Sequence, residues 1–301
     1  MQPTGKMTVG HRLLLIDGHN LLFRMFFGIP ARIPGRAGRS IHGVVGFVGT
    51  LLKTLAAFEP SHLVVLFDHE SGSFRGEIDG EYKSNRSADW SGRGVDEDPF
   101  AQLEHICRVL DHIGWKHTET PGFEVDDMIA AYVREYGGQA EMVVLSTDSD
   151  LLQLVKPGVS VFCPRGKDSI LYGPEEVEAK YGVMPSFIPD LKALTGDKTD
   201  NLIGVPGIGP KTAGNLIQQL GGVSGIYEQL EAVKRDAIRH LLVTHRDRVL
   251  HNLSMIRLNH LASLPFSLSE LAITPESWHV KTMEVLQEAG IAVSPVVSSS
   301  E

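Results

Sequence analysis

Residues 12–17 read RLLLID. The apolar run from Leu13 to Ile16 is strand-sized, and it stops at a turn, Asp17-Gly18. Residues 62–68, HLVVLFD, repeat the pattern and end in Asp68, and residues 142–148, MVVLSTD, end in Asp148. Val159 to Phe162 and Ile170 to Tyr172 are shorter candidates of the same kind. Between them, apolar residues at helical spacing predict helices over Ser40–Phe58, Asp98–Ile113 and Val125–Tyr136. Strands separated by helices predict an α/β fold around a central, mostly parallel sheet. Past Pro174 the pattern is helical throughout, with no strand expected before the end of the chain. The division predicted is an α/β body at 11–173 with a polar excursion at about 69–100, a helical subdomain at 174–265, and a C-terminal tail at 266–301 packing on the body.

Composition narrows the class. The 301 residues are 42% apolar and 22% charged, an ordinary globular balance. Two cysteines, Cys107 and Cys163, cannot form a disulfide scaffold, and no CxxC pair offers a zinc site. No apolar run reaches the length of a membrane span and the N-terminus lacks the apolar core of a signal peptide, so the expectation is a cytoplasmic protein, with no membrane partner and acting as a monomer. The net charge of −9 argues at first against a nucleic-acid partner. It is unevenly spread, however. Leu21 to Phe58 contains no acid but holds Arg24, Arg32, Arg36, Arg39 and Lys53, and Asn201 to His260 holds seven Lys or Arg against four acids.

The excess acid gathers where a parallel sheet would open. Ligands of such sheets bind beyond the carboxyl ends of the strands, and three predicted strands end in Asp17, Asp68 and Asp148. A lone aspartate there is most simply a helix cap or turn residue; three in succession point to a site. Glu124, Asp126 and Asp127 stand at the start of a predicted helix, Asp148 and Asp150 open another, and Asp197 and Asp200 are spaced three apart in TGDKTDN. Nine carboxylates in one cleft would repel one another unless cations were present. A donor set of oxygens, without Cys and with few His, suits Mg²⁺ or Mn²⁺. Two such ions are the arrangement for in-line displacement at phosphorus.

Residues 204–214, GVPGIGPKTAG, are not a P-loop: Pro210 separates Gly209 from Lys211, and the segment before them looks helical. A helix, a Gly-x-Gly turn at Gly207–Gly209 and a second helix would instead offer backbone N–H groups to a phosphate, with Lys211 and Thr212 in the first turn. In the excursion, Phe74-Arg75 and Tyr82-Lys83 with Arg86 set basic groups beside aromatic rings, a pairing that can stack a base and hold a phosphate.

Taken together, IDGHNLLFR, VLFD, YKSNR, GFEVDDMIA, STDSDLLQLV, TGDKTDN and GVPGIGPKTA resemble, in content and order from about Leu13 to Leu258, the bacterial 5′-3′ exonuclease or flap endonuclease family, and the chain looks like a stand-alone relative of the 5′-nuclease domain of DNA polymerase I. The resemblance implies a PIN-like sheet, a helical arch over the active site, and a helix–three-turn–helix element that often holds K⁺. It implies a first metal group of Asp17, Asp68, Glu124 and Asp126 and a second of Asp148, Asp150 and Asp197, with Asp127 and Asp200 supporting. It makes Lys83 and Arg86 contacts to the scissile phosphate, Tyr82 a stacking residue, and the turn at Gly207, Gly209, Lys211 and Thr212 a grip on duplex; Arg24, in the acid-free stretch, and Arg75, beside Phe74, are the further DNA contacts expected. The implied activity is Mg²⁺-dependent cleavage of DNA at 5′ ends, flaps or nicks. Two alternatives are an enzyme acting chiefly on RNA or RNA–DNA hybrid primers and a non-catalytic binder of DNA structures. Residues 88–98, ADWSGRGVDED, depart from the family pattern, lacking the Pro- and Leu-containing helix start of the arch.

Overall fold

The computed structural model describes residues 10–30, 32–35, 38, 40–69, 74–83, 97–258, 262–274, 281–282 and 284–285. Six strands form the main sheet: β1 (Arg12–Asp17), β2 (His62–Phe67), β3 (Lys116–Glu119), β4 (Glu141–Leu145), β5 (Val159–Cys163) and β6 (Ile170–Tyr172). Their spatial order is β3-β2-β1-β4-β5-β6, parallel except for β6, which runs antiparallel to β5. Strand order reverses between β1 and β4, which makes their carboxyl ends the switch point where α/β sheets bind ligands.

The apolar runs are unbroken because β1, β2 and β4, three of the four inner strands, are covered on both faces. Leu13, Leu15, Val64, Leu66, Met142 and Val144 belong to one core cluster, whereas Leu14, Ile16, Leu63, Val65, Val143 and Leu145 belong to the other. The period-two alternation of a strand thus serves two cores at once. The second face is roofed by α1 (Gly18–Gly28), α2 (His42–Phe58) and α4 (Leu103–Ile113), the first by α5 (Val125–Tyr136) and the helices that follow. Each side chain of this kind contributes roughly 1.5–3 kcal/mol by leaving water.

Beyond β6 lie α6 (Pro174–Tyr181), α7 (Ile188–Thr195), α8 (Pro210–Leu220), α9 (Gly222–Glu228), α10 (Asp236–Thr244) and α11 (Arg246–Ile256). This stretch is not helical throughout. Two-residue strands β7 (Gly196–Asp197) and β8 (Leu202–Ile203) pair antiparallel between α7 and α8. The segment before the glycine turn is therefore a strand, not the predicted helix. The turn itself is sharp because Gly207 sits at φ +85°, in the left-handed region. Asn252 of α11 fastens the hairpin, donating to the carbonyls of Ala193 and Ile203 at 3.1 and 3.0 Å.

Of the polar excursion, the described part includes a short helix, α3 (Phe74–Ile78), and the residues to Lys83. Arg36, Arg39, Arg86 and residues 84–96, which include most of the divergent stretch, lie outside the described residues. No helix among the described residues is long and apolar enough to cross a membrane.

Candidate active site

Asp17 ends β1 and caps α1, accepting from the Asn20 N–H at 3.1 Å. The chain turns this tightly because Gly18 has no side chain: a Cβ there would meet the Phe67 ring and come within 2.8 Å of the Leu66 carbonyl oxygen. The cap and the site are the same group, because the other oxygen of Asp17 accepts from Ser146 Oγ at 2.8 Å. That hydroxyl in turn accepts from the Asp148 N–H at 3.0 Å, so one serine links the ends of β1 and β4. Asp68, just past β2, accepts from the Val125 N–H at 2.9 Å and so caps α5, while its own N–H donates to His19 Nδ1 at 3.0 Å. Capping draws these two carboxylates to helix N-termini, where the dipole favours negative charge.

Asp17, Asp68, Glu124, Asp126 and Asp148 line one open cleft of about 1170 Å³ together with Lys83, with His19, Phe23 and Phe100 in its wall. Burial pushes Asp17 up to about 7, with the charges of Asp68 and Asp148 adding to it. Burial, then Asp148 and Asp17, push Asp126 well above the carboxylate range. Asp68 moves the other way: desolvation opposes it, but hydrogen bonds with His19 and Val125 keep it low. Lys83 Nζ lies 2.9 Å from Glu124 Oε2 and 4.9 Å from the centre of the Tyr82 ring. Lys83 has φ 54°, unusual for a residue with a side chain. Its N–H donates to the Asp200 carbonyl at 3.1 Å, and Asn201 Nδ2 donates to the Glu81 carbonyl at 3.0 Å. The foot of the excursion is thereby stitched to the turn after β7.

That turn completes a second carboxylate group. Asp150, Asp197 and Asp200 each bring an oxygen within 4.8 Å of the others. Asp150 opens a 3-10 turn, Asp150–Leu154, rather than an α-helix, and its N–H donates to Asp148 Oδ1 at 2.9 Å. Lys192 reaches from α7 to both Asp150 and Asp197, at 2.7 Å from the latter. Burial pushes Asp150 up to about 7 against the pull of Lys192, with Asp148 adding to the rise. Burial also works against Asp197, but Lys192 and hydrogen bonds from Thr199 bring it down to about 2. Asp148 lines the cleft with Asp17 and Asp126 and accepts from the Asp150 N–H, so it stands between the two groups.

Two predicted site residues are elsewhere. Asp127 was expected to support the metals, yet it is fully buried and its two oxygens take Arg75 Nη1 and Nη2 at 2.6 and 2.8 Å. Arg75 was expected on the DNA surface, yet its side chain is 1% exposed; besides Asp127 it binds Glu124 and the carbonyls of Met255 and Arg257. A guanidinium enclosed in this way has no face for a phosphate. Glu124 and Asp127 do share a helix face, but it faces this cation. Tyr82 is half-buried against the core. Arg24 is half-buried on α1 and is not among the described residues that line the cleft. Gly207, Gly209 and Lys211 are exposed and Thr212 half-buried at the start of α8.

Sequence reasoning gave no role to His19, Asn20, Ser146 or Lys192. His19 and Asn20 follow the Asp17-Gly18 turn, and Asn20 Oδ1 accepts from the Thr147 N–H and Oγ1 at 2.9 and 2.8 Å. Their position beside Asp17 was the signal available.

Residues 12–182 match the 5′-3′ exonuclease N-terminal resolvase-like domain, and residues 183–279 match the 5′-3′ exonuclease C-terminal SAM fold. The chain belongs to the 5′-3′ exonuclease family. It is 36% identical over 268 residues to DNA polymerase I of Deinococcus radiodurans, covering 87% of this chain and 27% of that protein. To DNA polymerase I of Rhizobium leguminosarum it is 33% identical over 292 residues, 93% of this chain and 28% of the other. The chain thus spans less than a third of the length of these relatives. A crystal structure of the bacteriophage T5 D15 flap endonuclease, a pseudo-enzyme-product complex with DNA and metal ions, superposes with a TM-score of 0.69 at 25% identity, over 93% of this chain and 99% of that one. For a 5′-3′ exonuclease, the mostly parallel sheet followed by a helical part is the family architecture.

Proposed function

We propose that the chain is a structure-specific 5′ nuclease that hydrolyses DNA phosphodiesters at 5′ ends and flaps with two or more Mg²⁺ or Mn²⁺ ions. The observation that carries this reading is the pair of carboxylate groups that meet at Asp148, one lining the cleft and the other around Asp150, Asp197 and Asp200. The donors fit hard divalent cations, being oxygens throughout, and the upward push on Asp17, Asp126 and Asp150 comes first from burial and then from neighbouring carboxylates, both of which a bound cation would offset. Asp17, Asp68, Glu124 and Asp126 would hold one ion, and Asp148, Asp150 and Asp197, supported by Asp200, another. Bound ions would supply an activated water and stabilise the leaving oxygen.

The protein's own groups do the rest. Lys83, held by Glu124 at the cleft, stabilises charge on the reacting phosphate, and Arg86 assists it. His19 and Ser146 fix the orientations of Asp68 and Asp17. The turn at Gly207–Gly209, with Lys211 and Thr212, grips the duplex backbone, and its backbone carbonyls are where a K⁺ ion would be held. In this division of labour the body at 11–173 supplies most of the metal ligands, while the part at 174–265 adds Asp197 and Asp200 and holds DNA. The T5 relative, seen with DNA and metal ions, supports the reading. The protein acts as a cytoplasmic monomer.

The test compares 5′-labelled flap, nicked-duplex and RNA-primed substrates by product length, in Mg²⁺ and in chelator. Cleavage of DNA flaps in Mg²⁺ and none in chelator is expected. Preference for the RNA-primed strand would move the assignment to RNA–DNA hybrids, and robust cleavage in excess chelator would sink the metal mechanism.

A further inference from the structure

We propose that Lys192 is a built-in counter-ion for the second carboxylate group, and that a divalent ion binding there must displace its ammonium from Asp150 and Asp197. The inference rests on the metal reading above and concerns how this chain controls filling of that group.

Lys192 projects from α7 with a side chain that is 12% exposed and pairs with both Asp150 and Asp197. These two and Asp200 each bring an oxygen within 4.8 Å of the others. An ammonium lying between two of three candidate ligands covers the oxygens a metal would use. It also presents a positive charge to an incoming dication at a few ångströms, inside a partly buried pocket where screening is weak. The neighbouring acids are Asp148, which acts on Asp150, and Asp200, which does the same. The pocket is therefore negative enough to attract a dication, yet Lys192 holds part of that charge in advance. A phosphodiester would offset the opposition by bringing negative charge of its own. Ions should then enter the second group less readily in the free protein than with DNA bound.

A plain structural ion pair makes a different prediction. Removing its lysine would destabilise the fold and leave metal affinity unchanged or lower. The counter-ion role requires affinity to rise.

The experiment titrates Mn²⁺ into wild type, Lys192→Met and Lys192→Arg without DNA, reading free Mn²⁺ by electron paramagnetic resonance and thermal melting in parallel. Lys192→Met should bind its weaker class of Mn²⁺ at least about tenfold more tightly than wild type does. Its melting temperature should be lower in chelator and rise more on adding Mn²⁺. Lys192→Arg, which keeps the charge, should resemble wild type. If Lys192→Met is unfolded in chelator, Mn²⁺ should refold it; persistent unfolding would overturn the proposal. Unchanged or weaker Mn²⁺ binding by the folded variant removes the counter-ion role alone. Absence of Mn²⁺ binding by wild type removes the metal reading as well.

Discussion

Arg75 and Asp127, 52 residues apart, are joined by two parallel hydrogen bonds of 2.6 and 2.8 Å. The remaining donors of the guanidinium go to Glu124 and to the carbonyls of Met255 and Arg257, so its five N–H groups are used. One buried cation thus ties the foot of the excursion to the first turn of α5 and to the end of α11. It also takes a share of Glu124, a proposed metal ligand, which connects packing of the helical part to the shape of the cleft. The 2.9 Å contact between His251 and Asp79 adds a second tie between α11 and the chain after α3.

Asp127→Asn should therefore destabilise the fold without touching a metal ligand. Removing one partner of a buried pair costs about 3–5 kcal/mol when the other charge is left uncompensated, and Glu124, still beside Arg75, should keep the loss at or below the lower end of that range. Urea unfolding of the metal-free protein measures this directly. A midpoint equal to wild type would return Asp127 to the cleft as a ligand rather than a strut.

The raised carboxylates make a pH prediction with a definite sign. Asp17 and Asp150 keep their protons up to about 7 in the folded chain, against 3.8 ordinarily. Across that window the folded state binds more protons than the unfolded one, so stability is highest at the acid side and falls as pH rises through 7. Asp68 and Asp197 act oppositely, but only as pH falls below the ordinary carboxylate value, toward about 2 for Asp197. In chelator the melting temperature should drop by roughly 5 °C or more between about pH 5 and 8. Excess Mg²⁺ should flatten the slope by supplying the missing positive charge. A metal-free protein that melts higher at pH 8 than at pH 5 would contradict the crowding of the acids.

Lys83→Ala should slow single-turnover cleavage of a 5′ flap by about 10²–10³, the usual loss for one charge-stabilising donor. Duplex binding should change little, because the grip is assigned to the turn before α8. Rapid-quench kinetics beside fluorescence anisotropy separate the two. A normal single-turnover rate would place Lys83 outside the reacting region, leaving it a partner of Glu124.

Much of this was legible in the chain. Buried parallel strands announce themselves as unbroken apolar runs, and a strand-end acid marks the switch point. What escaped has physical causes. β3 reads KHTE and lies at the sheet edge, with no residue buried, so it carries no apolar pattern. α1 was hidden by the Asp17-Gly18 turn, although Leu21, Leu22 and Phe26 bury at helical spacing. Nine acids looked alike in sequence, but spacing cannot say whether a carboxylate faces a cleft or a cation. The partner of Asp127 is 52 residues away, and that of Asp150 is Lys192, 42 residues away. Only the folded chain separates the strut from the ligands.

Asp148 offers the sharpest test, because it stands between the two groups. Its Oδ1 accepts from the Asp150 N–H at 2.9 Å, and its charge raises Asp17, Asp126 and Asp150 together. Asp148→Asn keeps the shape and removes that charge. It should cripple cleavage in Mg²⁺ by deleting a ligand. In chelator it should do the reverse to binding, since the metal-free cleft repels DNA. Two unit charges 4 Å apart interact by about 4 kcal/mol at an effective dielectric of 20, and more distant phosphates feel a fraction of that. The variant should therefore bind a 5′-flap substrate more tightly than wild type at low salt in chelator. The gap should narrow as salt shortens the reach of the charge. Fluorescence anisotropy of both proteins in chelator, alongside cleavage in Mg²⁺, gives the two readings. Unchanged cleavage, or weaker metal-free binding by a variant shown to be folded, would rule out a metal ligand at Asp148.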